Sequence, residues 1–400
     1  MIFNILFAVF ILLGSIIAFP NERDPFAVWL ENLKVEARKE NISENTIENT
    51  FKDAEYLPSV IELDRSQPEF ISTFLSYLHK RVTESKIKEG RDRLSENQVL
   101  LDQIEKKYGV PKNILVAFWG LETNYGGYKG NYGLPSALMT LAYEGRRADF
   151  FRSQLLDMMR IVEQGHKRIS DMQGSWAGAM GHMQFMPATF IAYAIDGDAD
   201  GRSDIWNSLP DAFSSAANYL SSIGWKRDEP VAFEVKLPND FEYEQAQLAV
   251  RQPSKTWASL GVLRADGTPL PPLDNTAVLL PQGWQGPAFL VASNFDAVMH
   301  WNRSIKYALS VSHLADQLVE DKPILYGANA DNHGLALDEV RTIQAKLNAL
   351  GFDSGRADGF PGTKTQQAIR SYQLQHHLPA DGYPSYALLQ QLINDNGDGK

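Results

Sequence analysis

The stretch Tyr108-Gly-Val-Pro-Lys-Asn-Ile-Leu-Val-Ala-Phe-Trp-Gly-Leu-Glu-Thr-Asn-Tyr-Gly-Gly, ending at residue 127, decides the fold. Pro111 suits the first turn of a helix, where a missing N–H costs nothing. Gly126 and Gly127 suit its end. At ~100° per residue, Ile114, Leu115, Phe118 and Leu121 share one face. Glu122 falls in the same arc, between the directions of Phe118 and Leu115. It is the only acid in the helix and sits near its C-terminal end. Burial there disfavours the charged form, and the negative end of the helix dipole acts the same way, so a raised pKa is expected. A carboxyl that keeps its proton near neutral pH can protonate a glycosidic oxygen. An isolated Glu in such a place more often turns outward or pairs with an arginine, so the decision rests on the neighbouring motifs.

Those motifs are Gly120-Leu-Glu-Thr-Asn-Tyr-Gly, Glu144-Gly-Arg-Arg-Ala-Asp-Phe-Phe and Gly174-Ser-Trp-Ala-Gly-Ala-Met-Gly-His-Met-Gln-Phe-Met-Pro. Asp204-Ile-Trp-Asn, Ala217-Asn-Tyr-Leu, Ser293-Asn-Phe and Trp301-Asn-Arg-Ser follow in order. Together they resemble the lytic murein transglycosylases of the membrane-bound transglycosylase B type, over about residues 25–320. The resemblance implies a mainly α, lysozyme-like catalytic domain with a groove and a small β-containing subdomain.

Carried over by residue, the resemblance makes Glu122 the single catalytic acid. Ser175 and Gln184 match groove residues around the scissile sugar. Arg146 and Arg147 match an arginine pair, one facing substrate and one structural. Trp301 and Asn302 match an aromatic–Asn pair beside the cleavage site. The family commonly has Tyr at the first of these, so Trp301 keeps a stacking ring and loses a hydroxyl. Tyr77 is a further groove candidate. An ordinary glycosidase uses two carboxyls, and no second acid stands in a comparable motif. The resemblance therefore implies cleavage of the MurNAc–GlcNAc β-1,4 bond with attack by the MurNAc 6-hydroxyl, giving 1,6-anhydroMurNAc ends. Substrate then supplies the nucleophile while the enzyme holds it and excludes water. The alternatives are a catalytically silent peptidoglycan-binding scaffold and hydrolysis by a lysozyme-like route. Gly174-Ser-Trp-Ala-Gly also matches a nucleophile elbow, but no apolar strand precedes it and no α/β alternation surrounds it.

Asp196-Gly-Asp-Ala-Asp-Gly-Arg-Ser-Asp-Ile-Trp-Asn carries acids at loop positions one, three, five and nine. Gly201 stands at position six, where a calcium loop turns sharply, and Arg202 offers a backbone carbonyl at position seven. Asn207 replaces the bidentate Glu of position twelve, which predicts weak affinity. The metal set read here is Asp196, Asp198, Asp200, Arg202, Asp204 and Asn207. The resembling family has a calcium loop in this place. A structural calcium is expected, and no cofactor is required for the chemistry.

Residues 230–290 change character: Val231-Ala-Phe-Glu-Val-Lys-Leu alternates and Pro and Gly become frequent, so a small β-rich subdomain is expected. Residues 25–110 read as helical, with a helix start at Ser66-Gln-Pro-Glu and Phe70, Phe74, Leu75 and Leu78 at helical spacing. Residues 321–333 read as a linker. Residues 334–395 read as a three-helix module: Val340, Ile343, Leu347 and Leu350 share a face, and Asp358-Gly-Phe-Pro-Gly-Thr-Lys-Thr enters a second helix. This module resembles the common peptidoglycan-binding domain, which would tether the enzyme to its polymer.

Ile2–Phe19 is almost wholly apolar, and Pro20-Asn-Glu-Arg-Asp ends it abruptly. It reads as a signal peptide over residues 1–19, with Ala18 as the cleavage residue, or else as an uncleaved anchor. The chain has 400 residues and no cysteine, which excludes a lipoprotein anchor, disulfides and thiolate zinc sites. Its 49 acidic and 38 basic side chains give a net charge of −11, which disfavours a nucleic-acid binder. The expected protein is a periplasmic monomer acting on peptidoglycan glycan strands, touching membrane only if the N-terminal segment stays attached.

Overall fold

Apolar residues three and four apart build most of this chain into helices. The computed structural model describes residues 25–65, 72–144, 146–328, 330 and 333–394. The expected signal segment and the helix start at Ser66 lie outside these residues. The main helical body contains α1 (Phe26–Lys39), α2 (Glu44–Phe51), α3 (Pro58–Arg65), α4 (Phe74–Arg81), α5 (Glu84–Glu96), α6 (Gln98–Tyr108) and α7 (Lys112–Thr123). It continues through α8 (Leu134–Glu144), α9 (Ala148–Glu163), α10 (Pro187–Tyr193) and α11 (Leu209–Ser222). After a sheet segment containing α12 (Ser254–Ser259), it closes with α13 (Ser293–Trp301) and α14 (Ile305–Val319). None of these helices is long and apolar enough to cross a membrane.

α7 is the axis of the body. Ile114 through Leu121 are all buried, so the helix is enclosed on every side. α14, α5, α6 and α11 pack around it. α4 begins at Phe74, where Thr73 Oγ1 accepts the Ser76 N–H at 3.2 Å; this cap satisfies an otherwise unbonded donor.

The short strands β1 (Tyr132–Gly133) and β2 (Gln173–Gly174) pair antiparallel beside α8. A second, antiparallel sheet is formed by β3 (Ala232–Lys236), β4 (Leu263–Arg264), β5 (Ala277–Leu279) and β6 (Ala288–Val291), in the order β4-β3-β6-β5. The alternation expected along β3 is incomplete, because both faces of the sheet are covered. Ala232 packs into the helical core, whereas Phe233 and Val235 pack with Trp257 of α12 in a separate cluster.

The C-terminal module comprises α15 (Leu337–Ala349), α16 (Thr363–Gln375) and α17 (Tyr386–Asn394). Val340, Ile343 and Leu347 meet Ile369, Tyr372 and Leu392 in its own core, with Leu350 only partly buried. The module is fixed to the body. Asp381 Oδ2 accepts the Trp284 N–H at 2.8 Å. The segment read as a linker is also held: Glu234 on β3 accepts the N–H groups of Leu325 and Tyr326.

Candidate active site

Glu122 stands in the last turn of α7, and three devices fix that turn. Asn124, Tyr125 and Gly126 follow with φ of 50°, 57° and 81°, so the chain turns away in left-handed conformation. The Tyr125 ring fills a slot floored by glycines: a Cβ at Gly90 or Gly120 would lie 2.3 Å or 2.7 Å from its hydroxyl. Two cations cap the carbonyls: Lys86 Nζ donates to Gly120 O at 2.7 Å, and Arg81 Nη2 to Leu121 O at 2.8 Å. The negative end of the helix, read from sequence as acting on Glu122, is therefore countered by two positive charges.

Glu122 itself is half-buried. Its Oε1 accepts the indole N–H of Trp301 at 3.1 Å and the hydroxyl of Tyr307. Burial, reinforced by the Glu122 charge, raises the Tyr307 pKa well above the ordinary phenol value, so the hydroxyl keeps its proton and keeps donating. The neighbours acting most strongly on that phenol are Glu122, Arg81 and Tyr77, with no second carboxylate among them. Tyr77 thus lies at the site, on α4, with the Arg81 guanidinium 6.0 Å from its ring centre.

Trp301 ends α13 inside an aromatic cluster. Its ring centre is 4.4 Å from Phe118, 5.1 Å from Tyr219 and 5.4 Å from Phe185. Its indole N–H donates to Glu122, so a donor reaches the carboxyl from this position although Trp301 has no hydroxyl. Trp301→Phe should lower the turnover number about tenfold by removing one donor to Glu122, while Trp301→Tyr keeps it; parallel rate measurements on murein check this. Equal rates for Phe and Trp would show that the indole serves packing alone. Asn302, next in the chain, caps α13 through its N–H to Val298 O at 3.0 Å.

The glycine-rich segment after β2 folds into a tight hairpin. Met180 and Phe185 exchange backbone hydrogen bonds at 2.8 and 2.9 Å. Ser175 Oγ accepts the Ala179 N–H at 3.0 Å, which fixes the serine at the hairpin mouth. Gln184 has a φ of 49° and donates to Lys129 O at 3.2 Å and Gly181 O at 3.1 Å. Met180 and Met183 are buried core residues. His182 sits under α7, accepting the Trp119 indole N–H at Nδ1 at 2.9 Å. Burial, with help from the Lys129 charge, pushes its pKa down to about 4, so it is neutral at pH 7 and acts as a strut.

The arginine pair is placed elsewhere in emphasis. Arg146 and Arg147 both direct their charge at the buried Asp64 of α3, at 3.5 and 3.6 Å. The Arg147 guanidinium also lies 4.9 Å from the Phe151 ring centre. Together they tie α3 to the turn between α8 and α9.

The acidic loop draws in a residue that the sequence reading omitted. Among the described residues, Asp196, Asp198 and Asp211 bring carboxylate oxygens within 4.8 Å of one another. Asp211, in the first turn of α11, is fully buried and accepts the N–H groups of Gly197, Asp198 and Asp204. Burial raises its pKa, and the Asp198 charge adds to this, against the pull of those donors. Asp200 instead accepts the Arg202 N–H at 2.9 Å, and Asp204 accepts from the Asn207 amide at 2.8 Å.

Residues 25–316 match the family model described as Transglycosylase SLT domain. This chain belongs to the SLT transglycosylase family. Residues 337–392 of the transglycosylase match a putative peptidoglycan binding domain. It is 30% identical over 299 residues to membrane-bound lytic murein transglycosylase B of Escherichia coli K12, covering 69% of this chain and 78% of that one. It is similar to Pseudomonas aeruginosa SltB3, solved in complex with NAG-anhNAM-pentapeptide, at a TM-score of 0.89 and 40% identity; the match covers 92% of this transglycosylase and 99% of SltB3. It also resembles the Escherichia coli lytic transglycosylase Slt35 in complex with calcium, at a TM-score of 0.62 and 27% identity over 74% of this chain and 92% of that one. The protein is thus a lytic transglycosylase of peptidoglycan, with a mainly helical, lysozyme-like catalytic domain.

Proposed function

We propose that the transglycosylase cleaves the MurNAc–GlcNAc β-1,4 bond with Glu122 as its single acid and base, releasing 1,6-anhydroMurNAc ends. The observation carrying this reading is the pair of donors on Glu122 Oε1, from Trp301 and Tyr307. They fix the carboxyl plane and give Oε1 the carbonyl role in the acid form, which assigns the mobile proton to Oε2. That proton goes to the leaving oxygen of the glycosidic bond. The resulting carboxylate then takes the proton of the MurNAc 6-hydroxyl as that oxygen attacks the anomeric carbon. The bond closed is therefore internal to the sugar, and the catalytic carboxyl returns to its acid form without water. Trp301, backed by the buried rings of Tyr219 and Phe185, puts an aromatic ring beside the carboxyl, which suits sugar stacking and water exclusion. Purified murein digested with the full chain tests the reading, through the chemical form of the new sugar ends.

The acidic loop fits a structural calcium ion, held by Asp196, Asp198 and Asp211, with the Arg202 carbonyl and Asp204 nearby in the chain. Three carboxylates this close repel one another unless a cation or protons offset their charge. The ion would brace the loop that the hairpin leans on, since His182 N–H donates to Ile205 O at 3.0 Å. Calcium at about a hundredfold excess over its Kd should stabilise the protein by ~2.7 kcal/mol, raising Tm by about 3–5 °C over the chelator-treated protein. Identical melting curves with chelator and with calcium would contradict the assignment. A signal peptide at residues 1–19 and a periplasmic location complete the proposal, because peptidoglycan lies outside the cytoplasmic membrane.

A further inference from the structure

Two helices bring their negative ends to the neighbourhood of Glu122. α7 ends one residue after it, at Thr123, and α4 ends at Arg81. Tyr77 and Arg81 stand four apart on α4, so one lies above the other on the helix surface. Arg81 Nη2 donates to the carbonyl of Leu121, the residue before Glu122, at 2.8 Å. The guanidinium is exposed and forms no ion pair among the described residues, so no adjacent acid offsets its charge. That charge reaches the partner of the reacting carboxyl. Glu122 and Arg81 act on the Tyr307 hydroxyl in opposite senses: the carboxylate holds its proton on, and the guanidinium favours its loss. Tyr307 donates to Glu122, so a charge felt at this hydroxyl is felt at the carboxyl as well.

Lys86, the other cation at this turn, is placed differently. Its Nζ donates to Gly120 O and to Asn124 Oδ1, both at 2.7 Å, so it joins the last turn of α7 to the left-handed turn that follows. It is absent from the strongest influences on Tyr307, where Arg81 is the one cation. The remaining titratable groups around Glu122 are neutral or hold a partner elsewhere. α14 contributes Tyr307 and, beside it, Lys306, which donates to the Ser72 carbonyl. α13 contributes the neutral indole of Trp301, and its His300 meets the Tyr219 hydroxyl of α11 at 3.0 Å. Glu89 of α5 lies on the Lys86 side and pairs with Arg93 at 3.5 Å. α6 packs at the far end of α7, where Asp102 pairs with Lys112 at 2.6 Å. His182, under α7, is neutral at pH 7.

We propose that Arg81 is a positioning residue for the proton of Glu122: anchored on the Leu121 carbonyl, its charge weakens the hold of the half-buried carboxyl on that proton. A cation favours the carboxylate form, so without it Glu122 keeps its proton to higher pH and is a weaker acid toward the leaving oxygen. This inference rests on the proposed function, because it gives Arg81 a part in the acid step of Glu122.

Two substitutions separate charge from hydrogen bonding. R81Q keeps an amide donor for Leu121 O and drops the charge. R81K keeps the charge and drops the planar fork. Carbon-13 NMR of the full chain labelled at its glutamate carboxyls follows the titration of Glu122, identified as the signal missing from E122Q. The midpoint should rise by about 0.5–1.5 pH in R81Q and stay within about 0.3 pH of the parent in R81K. The alkaline limb of kcat for release of anhydro ends from murein should rise with the midpoint in R81Q. K86Q should lower Tm and move the midpoint by less than half as far. Should R81Q not fold, Arg81→citrulline, which keeps planar N–H donors without the charge, takes its place. An unmoved midpoint in the neutral variant overturns the proposal. So does a rise in R81K or K86Q equal to that in R81Q, or an alkaline limb that stays in place while the midpoint rises. The carboxyl titration needs no turnover, so failure of the proposed function, shown by an active E122Q, is read separately.

Discussion

Replacing Glu122 with Gln is expected to lower release of anhydro-sugar ends from purified murein by about 10³-fold or more. Gln is nearly isosteric with Glu. Its carbonyl can still accept from Trp301 and Tyr307, which hold Oε1 in the parent. Its amide can neither give a proton to the leaving oxygen nor take one from the attacking hydroxyl. The fold should survive, because the last turn of α7 is held by Lys86 and Arg81 on backbone carbonyls and not by Glu122. Sedimentation with murein should also survive, because the peptidoglycan-binding module is untouched. Chromatographic quantitation of anhydro ends against time checks the prediction. A variant within tenfold of the parent would remove Glu122 from the chemistry.

Asp211→Ala should be the most destabilising single change outside the hydrophobic core, at about 3 kcal/mol or more. The side chain is fully buried and gathers three backbone N–H groups from two places in the acidic loop. Alanine removes the one acceptor that all three donors share. A Tm lower by about 4–5 °C is expected for that energy in a chain of this size, measured by calorimetry with chelator present. The same variant should lose the calcium-dependent rise in Tm. The effect should reach the groove. The loop carries Trp206, whose carbonyl accepts from Lys129 Nζ at 2.7 Å, and the Lys129 carbonyl in turn accepts from Gln184 at 3.2 Å. A Tm within 2 °C of the parent would show that the loop does not depend on this carboxylate.

The sequence was most legible where chemistry is compressed into short motifs. Glu122 was readable because one acid stood on an apolar helical face beside Gly126 and Gly127. The helical body and the three-helix module were readable because apolar spacing is local. Tyr307 was missed, although it touches the Glu122 carboxyl. It lies five residues after Asn302, on the next helix, and nothing local marks it. The available signal was indirect: a buried tyrosine needs a partner for its hydroxyl. Asp211 was missed for a related reason. It follows Ser208 by three residues, and Ser208 Oγ accepts its N–H at 3.3 Å, so it reads as an ordinary acid in a capped first turn. Its side chain instead turns back to the loop before it. The arginine pair illustrates the limit from the other side. Its motif was plain, but Asp64 lies about eighty residues upstream, and spacing alone does not reveal that partner. The β3 segment was readable as a strand because Phe233 and Val235, two apart, turn to the same side and meet Trp257 there.

In the proposed reaction the substrate's own hydroxyl, and not water, attacks the anomeric carbon. The most direct measurement is mass spectrometry of the sugar ends released from purified murein by the full chain. Anhydro ends, lighter than reducing ends by one water or ~18 Da, are the predicted result. Reducing ends as the main product, with one labelled oxygen atom taken up from oxygen-18 water, would contradict this route.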